Sequence, residues 1–177
     1  MIMEKSDLRD NVTLKNPKIH ESAFVAEGAR IIGDVILKAQ SSIWYNTVCR
    51  GDINQIIIGE RSNIQDNSVI HLENDQGVTV GNDVTVGHNT IIHGCTIEAG
   101  ALIGMGAIIM NGVVVGKGAV IGAGAVVKEN MVIAEYSLVV GVPGKIVKTL
   151  DSNTYDKNLK WAAKYVQLAN LHKGNQK

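Results

Sequence analysis

The chain has 177 residues, a formal net charge of zero, and basic residues spread among acidic ones. That balance speaks against a nucleic-acid-binding surface, which needs a basic excess along one stretch, and the length suits one domain with an appendage. The N-terminus lacks the apolar core of a signal peptide, and two cysteines, Cys49 and Cys95, are too few for a disulfide framework; the expected setting is cytoplasmic and reducing, with both thiols buried and no membrane partner.

In chain order, residues 1–18 read as a polar arm leading into a repeat that fills the rest of a domain spanning residues 1–150. From Ile19 an aliphatic residue opens every sixth position: Ile19, Val25, Ile31, Leu37 and Ile43, with Cys49 in the next slot. The series resumes at Ile58, Ile64, Ile70, Val80, Val86 and Ile92, and then runs from Ile97 to Val127. The fourth position favours Gly, Asn or Asp (Gly28, Asp34, Asn46, Asn67, Asp83, Asn89), residues that tolerate the positive φ of a corner. The fifth is small or β-branched. Residues 99–116 are apolar enough to suggest a membrane helix, but Gly100, Gly106, Gly112, Gly118 and Gly124 keep the six-residue interval. Interior glycines each weaken a helix by roughly 1 kcal/mol, so that reading fails.

A period of six is a short strand, a corner and another short strand. Three such sides close a triangular coil, and the coils stack by parallel strand pairing. The expected fold is an all-β solenoid, a parallel β-helix of roughly six coils, with first positions inward and second positions outward. After a turn at Gly141-Val-Pro-Gly-Lys145, residues 151–177 form a C-terminal α-helix capped by Asp151 or Ser152, with Leu159, Ala162, Ala163, Val166 and Ala169 as its apolar stripe.

The repeat slips at three places, after the hexads opened by Cys49 and Ile70 and within the one opened by Ile92. All three lie on one side of the prism on consecutive coils. The second positions there are Arg50, His71 and His93, stacked at the strand spacing of about 4.8 Å. His88 falls on the preceding side, above Asp66 and near Gln65. Two stacked histidines with a third nearby read as a metal site, with zinc as the expected ion and iron(II) or cobalt(II) as alternatives. Because the two groups lie on different faces, one compact site is easier to build across a subunit boundary. A homotrimer with three interfacial sites is expected.

The segments Arg50-Gly-Asp52, Ser62-Asn-Ile-Gln-Asp66, His71 and Gly87-His88-x4-His93-Gly94 resemble the gamma-class carbonic anhydrases of the hexapeptide-repeat superfamily, over about Pro17 to Val147. The resemblance implies a left-handed β-helix and a reversible hydration of carbon dioxide to bicarbonate by a metal-bound hydroxide. It implies that His71 and His93 come from one subunit and His88 from its neighbour. It implies that Arg50 and Asp52 join an interfacial ion-pair network with Asp66, that Gln65 orients the hydroxide, and that Asn63 steadies Gln65. Tyr165-Val-Gln167 is similar to the family's Tyr-x-Asn near the metal, with Gln in place of Asn. The acidic loop that carries a proton-shuttle glutamate in the best-studied members is absent, since Ile53-Asn54 follows Asp52. Glu73, in the insertion after His71, is a candidate for that task. Two other readings stay open: an acyltransferase using coenzyme A with His88 or His93 as base, and a non-catalytic trimeric scaffold with a structural metal.

Overall fold

The computed structural model describes residues 14–175. The hexads fold as short strands joined by tight corners, and every pairing between coils is parallel. The result is a parallel β-solenoid of about seven turns with one C-terminal helix. Most of the arm lies outside the described residues. Its end joins the solenoid, with Lys18–Ile19 pairing to Ile36 and Leu37.

Three faces follow from the register. One carries Val78–Val80, Thr96–Ile97, Val114–Val115 and Val132–Ile133. The second carries Phe24–Val25, Ser42–Ile43, Asn63–Ile64, Thr85–Val86, Leu102–Ile103, Val120–Ile121 and Ser137–Val140. The third carries Val69–His71, Ile91–His93, Ile108–Ile109 and Val126–Val127. The longer strands Arg30–Leu37 and Val48–Ile58 turn from the third face into the first.

First-position residues from Leu37 onward fill the prism and are fully buried, from Ile43, Ile64 and Val86 to Ile121 and Val127. Removing such side chains from water is the main driving force for folding. In the first coil the same position is only partly covered at Val25 and Ile31 and exposed at Ile19. The small fifth-position residues let the chain pass close to the next coil. Where they carry hydroxyls, these are satisfied: Ser62 Oγ donates to the Gly81 carbonyl at 2.6 Å and Thr90 Oγ1 to the Gly87 carbonyl at 2.6 Å.

Two expectations about the repeat need correction. The repeat continues past Val127 through Ile133 and Val139, both buried, which adds a coil to the six expected. Its corners there are Asn130 and Tyr136, at φ near +60° and +57°; a tyrosine in the left-handed region gives no corner signal. In the hexad opened by Ile31 the positive φ is taken by Gly33, not Asp34, because that corner leads into a bulged register against the long strand. A Cβ at Gly33 would also lie only 2.1 Å from the Gly51 carbonyl oxygen.

After the last coil, Lys145–Thr149 doubles back antiparallel on Ser137–Val140. The helix Asn153–Asn175 then runs along the second face, with the Asn153 amide capped by Asp151 Oδ1 at 2.9 Å. Its buried residues are Asn158, Ala162 and Ala169, and Ala163 is exposed. The stripe is therefore rotated from the purely aliphatic one expected. Asn158 can sit inside because its amide donates to the Gly100 carbonyl at 2.9 Å, which removes the penalty for burying it. Farther along, Ala169 joins Phe24 and Trp44 in a second apolar cluster, where Tyr45 Oη lies 2.7 Å from His172 Nδ1. No helix among the described residues is long and apolar enough to cross a membrane.

Candidate metal centre

His71 and His93 end two short strands that pair residue for residue, Ile92 with Ile70 and His93 with His71. The isoleucines turn into the core, so alternation turns both imidazoles outward. Their ring centroids are 5.1 Å apart, and His71 Nδ1 lies 3.0 Å from His93 Nε2.

The outer nitrogens fix the tautomers. His71 Nε2 is 3.0 Å from Asp52 Oδ1. Burial works against the charge on Asp52, but hydrogen bonds from Arg50 and His71 outweigh it and hold the carboxyl below its ordinary range. An ionised carboxylate only accepts, so His71 Nε2 carries a proton, and in the neutral ring Nδ1 presents the lone pair. On the other ring, His93 Nδ1 is 2.5 Å from Asn111 Oδ1, while Asn111 Nδ2 donates to Glu73 Oε1 at 3.0 Å. The amide nitrogen faces the carboxylate, so the amide oxygen faces the ring and His93 Nδ1 is the donor. His93 Nε2 then also presents a lone pair.

Two lone pairs facing each other at 3.0 Å repel unless a cation or proton lies between them. Nitrogens about 2.0–2.1 Å from a tetrahedral metal would be roughly 3.3 Å apart, close to the separation found. Carboxylate and amide partners on the outer nitrogens are the usual supports of metal-ligating histidines. The donor set fits a divalent metal.

His88 is elsewhere. It follows the strand Thr85–Val86 on the second face, and its Nδ1 lies 2.7 Å from Asp66 Oδ2, as the hexad register predicts. Among the described residues, no three His, Cys, Asp or Glu side chains of one chain converge on a metal position. Arg50 pairs with Asp52 in the same chain, and Asp66 pairs with His88.

Beside His88 runs a groove of about 500 Å³ between the second face and the helix, lined by Gln65, Thr85, His88, Met105, Trp161 and Tyr165, among others. Gln65 is 5% exposed and is held by a chain of amides: its Nε2 donates to Asn63 Oδ1 at 3.0 Å, and Asn63 Nδ2 donates to Thr85 Oγ1 at 3.0 Å. Those bonds leave Gln65 Oε1 available as an acceptor. Tyr165 packs edge-on against Trp44. Burial, reinforced by the nearby Asp66 carboxylate, pushes its phenol above the ordinary value, so it remains a neutral hydroxyl.

Glu73 sits in the loop after His71, half exposed, with Oε1 4.0 Å from His93 Nδ1. Asn54, at the place where the acidic loop is missing, donates from Nδ2 to the Asn74 carbonyl at 2.9 Å and to that of Glu73 at 3.3 Å. Asn111 and Asn54 were not among the residues singled out from the sequence. Asn111 could have been found from its place one coil beyond His93, next to a hexad one residue short.

Two family descriptions match the chain: the bacterial transferase hexapeptide (six repeats) over residues 94–129, and the hexapeptide repeat of succinyl-transferase over residues 55–93. The "Probable carbonic anhydrase" of Methanocaldococcus jannaschii is 44% identical over 151 residues, covering 85% of this chain and 95% of that one. The "Carbonic anhydrase" of Geobacillus kaustophilus is 49% identical over 76 residues, so the match spans 40% of this chain and only 42% of that relative's length. Among crystal structures, the product of the BC4754 gene of Bacillus cereus, provisionally named an acetyltransferase, is 41% identical and covers 92% of this chain and 94% of that one, with a TM-score of 0.89. The identity to the Methanocaldococcus protein extends over nearly its whole length, through the solenoid that carries the stacked histidines. The chain belongs to the gamma-class carbonic anhydrase family of the hexapeptide-repeat, left-handed β-helix superfamily.

Proposed function

We propose that the protein is a homotrimeric, metal-dependent hydratase that interconverts carbon dioxide and bicarbonate. In this reading His71 and His93 of one subunit and His88 of the next hold one zinc ion, or iron(II) or cobalt(II), at each interface. The observation that carries it is the pair of facing ring nitrogens, His71 Nδ1 and His93 Nε2, 3.0 Å apart with both outer nitrogens already engaged. Such an ion, when bound, supplies a Lewis acid that lowers the pKa of a coordinated water toward neutrality, as zinc does in carbonic anhydrases.

The chain's own groups do the rest. Asp52 and Asn111 keep the two imidazoles in the tautomers that expose a lone pair. Gln65, its amide nitrogen committed to Asn63, turns an acceptor toward the attacking water and fixes the direction of its lone pair toward the carbon. The apolar wall formed by Met105, Leu102 and Trp161 suits carbon dioxide, which is small and uncharged. Glu73, exposed and near His93, takes the proton that hydration releases and passes it to buffer. Arg50, Asp52 and Asp66 hold the two subunits in register through charged contacts at the interface.

The acyltransferase reading is favoured by the Bacillus cereus neighbour's provisional name and needs a single histidine base, with no metal. Stopped-flow hydration of carbon dioxide by metal-reconstituted protein, alongside an acetyl-coenzyme A hydrolysis assay on metal-free protein, separates the two. Hydration that tracks the metal content supports the hydratase. Metal-independent turnover of acetyl-coenzyme A with no hydration supports the transferase, and full metal occupancy with neither activity supports a scaffold.

A further inference from the structure

Asn111 stands at the corner after Ile108–Ile109, one coil beyond His93. Two features let it reach the imidazole. The hexad opened by Ile92 is one residue short, so its corner comes early at Gly94, with φ near +45°. That corner also has no side chain, and a Cβ at Gly94 would lie 3.2 Å from Asn111 Oδ1. The gap is filled by the Asn111 amide, which accepts from His93 Nδ1 at 2.5 Å and donates to Glu73 Oε1 at 3.0 Å. The backbone of the Glu73 loop is pinned from the other side by Asn54 Nδ2, on the carbonyls of Glu73 and Asn74.

We infer that Asn111 is a positioning residue with two separable tasks: it fixes the tautomer and orientation of His93 for the metal, and it ties the Glu73 loop to that ligand. The inference rests on the metal-site reading above. It concerns only this chain's residues. An amide is suited to the place because one end must accept and the other donate. A carboxylate could serve His93 but would repel Glu73, and an aliphatic side chain could serve neither. Asn54 and Asn111 together thus hold the Glu73 loop and its carboxylate beside His93.

The test compares zinc(II) binding, by competition with a chromophoric chelator, in the parent, Asn111→Ala and Asn111→Asp. It adds hydrogen–deuterium exchange of residues 72–77 and a thermal melt of each protein. Asn111→Ala is expected to bind zinc about 10- to 100-fold more weakly, the range for loss of a partner behind a ligating histidine. Asn111→Asp keeps the acceptor and should bind close to the parent's affinity. In both variants exchange over residues 72–77 should rise, because the tether to Glu73 is lost in each. Should Asn111→Ala not fold, the contrast of retained affinity and lost loop protection in Asn111→Asp decides alone. The assignment is overturned if Asn111→Ala binds zinc as tightly as a zinc-binding parent, if Asn111→Asp loses as much affinity as a folded Asn111→Ala, or if loop exchange is unchanged. A parent that binds no zinc removes the metal site itself and the assignment with it.

Discussion

His71 and His93 pair Cα to Cα on adjacent coils, and their facing nitrogens are 3.0 Å apart because the isoleucines before them point the other way into the core. The geometry of the histidine pair is therefore a by-product of the core register. Ile70 and Ile92 are both fully buried, and a one-residue slip would turn each histidine inward.

His93→Ala should lose the metal while keeping the solenoid. The side chain faces outward and leaves the buried Ile92 untouched, so the cost in folding stability is about 1 kcal/mol, the loss of one hydrogen bond to Asn111. Metal analysis and a denaturant melt check this. A collapsed fold in that variant would contradict the register.

On the proposed function, the hydrogen-bonded chain Thr85–Asn63–Gln65 serves catalysis and not metal binding. Gln65→Ala should lower kcat/KM for hydration by about 10- to 100-fold with metal content unchanged, since it removes an orienting acceptor and no ligand. Asn63→Ala should give a smaller loss in the same direction. Equal losses of metal in these variants would place Gln65 among the supports of the site instead.

Burial pushes the Cys49 and Cys95 thiols up to about 12. With an unfolded value near 8.5, the folded state holds its protons where the unfolded chain gives them up. The stability these thiols contribute is full below about pH 8.5 and declines as pH rises toward 12. At pH 8 neither should react with iodoacetamide until the protein unfolds. Fast labelling of native protein at that pH would show that the core opens.

Much of this was legible in the sequence because a six-residue period fixes both face and height. Asp66 under His88 and His71 under His93 follow from counting positions, and both pairs are in contact. What counting could not reach were contacts made where the period fails. Asn111 meets His93 across a shortened corner, and Asn54 and Glu73 lie in insertions that the period does not describe. The buried face of the helix departs from the apolar spacing for a different reason. Apolar spacing alone does not reveal that Asn158 has a backbone carbonyl waiting for it at Gly100, so an amide sits inside while Ala163 faces out. The last coil was missed because the corner glycines run out at Gly124 and Tyr136 takes the final corner, where a tyrosine carries no turn signal.

The most direct test of a metal held between subunits is complementation between two inactive proteins. His88→Ala lacks the ligand it would give its neighbour, and His93→Ala lacks one of its own pair. Unfolded together, mixed in equal amounts, refolded with zinc or iron(II) and assayed for carbon dioxide hydration, they should assemble mixed trimers. A site formed by the His71/His93 pair of one variant and the His88 of the other is intact, so about a quarter of the sites, and of the parent's activity and bound metal, should return under random assembly. Mixed trimers that remain as inactive and metal-free as either variant alone, under conditions in which refolded parent regains activity, would contradict a site shared between His71, His93 and a neighbour's His88.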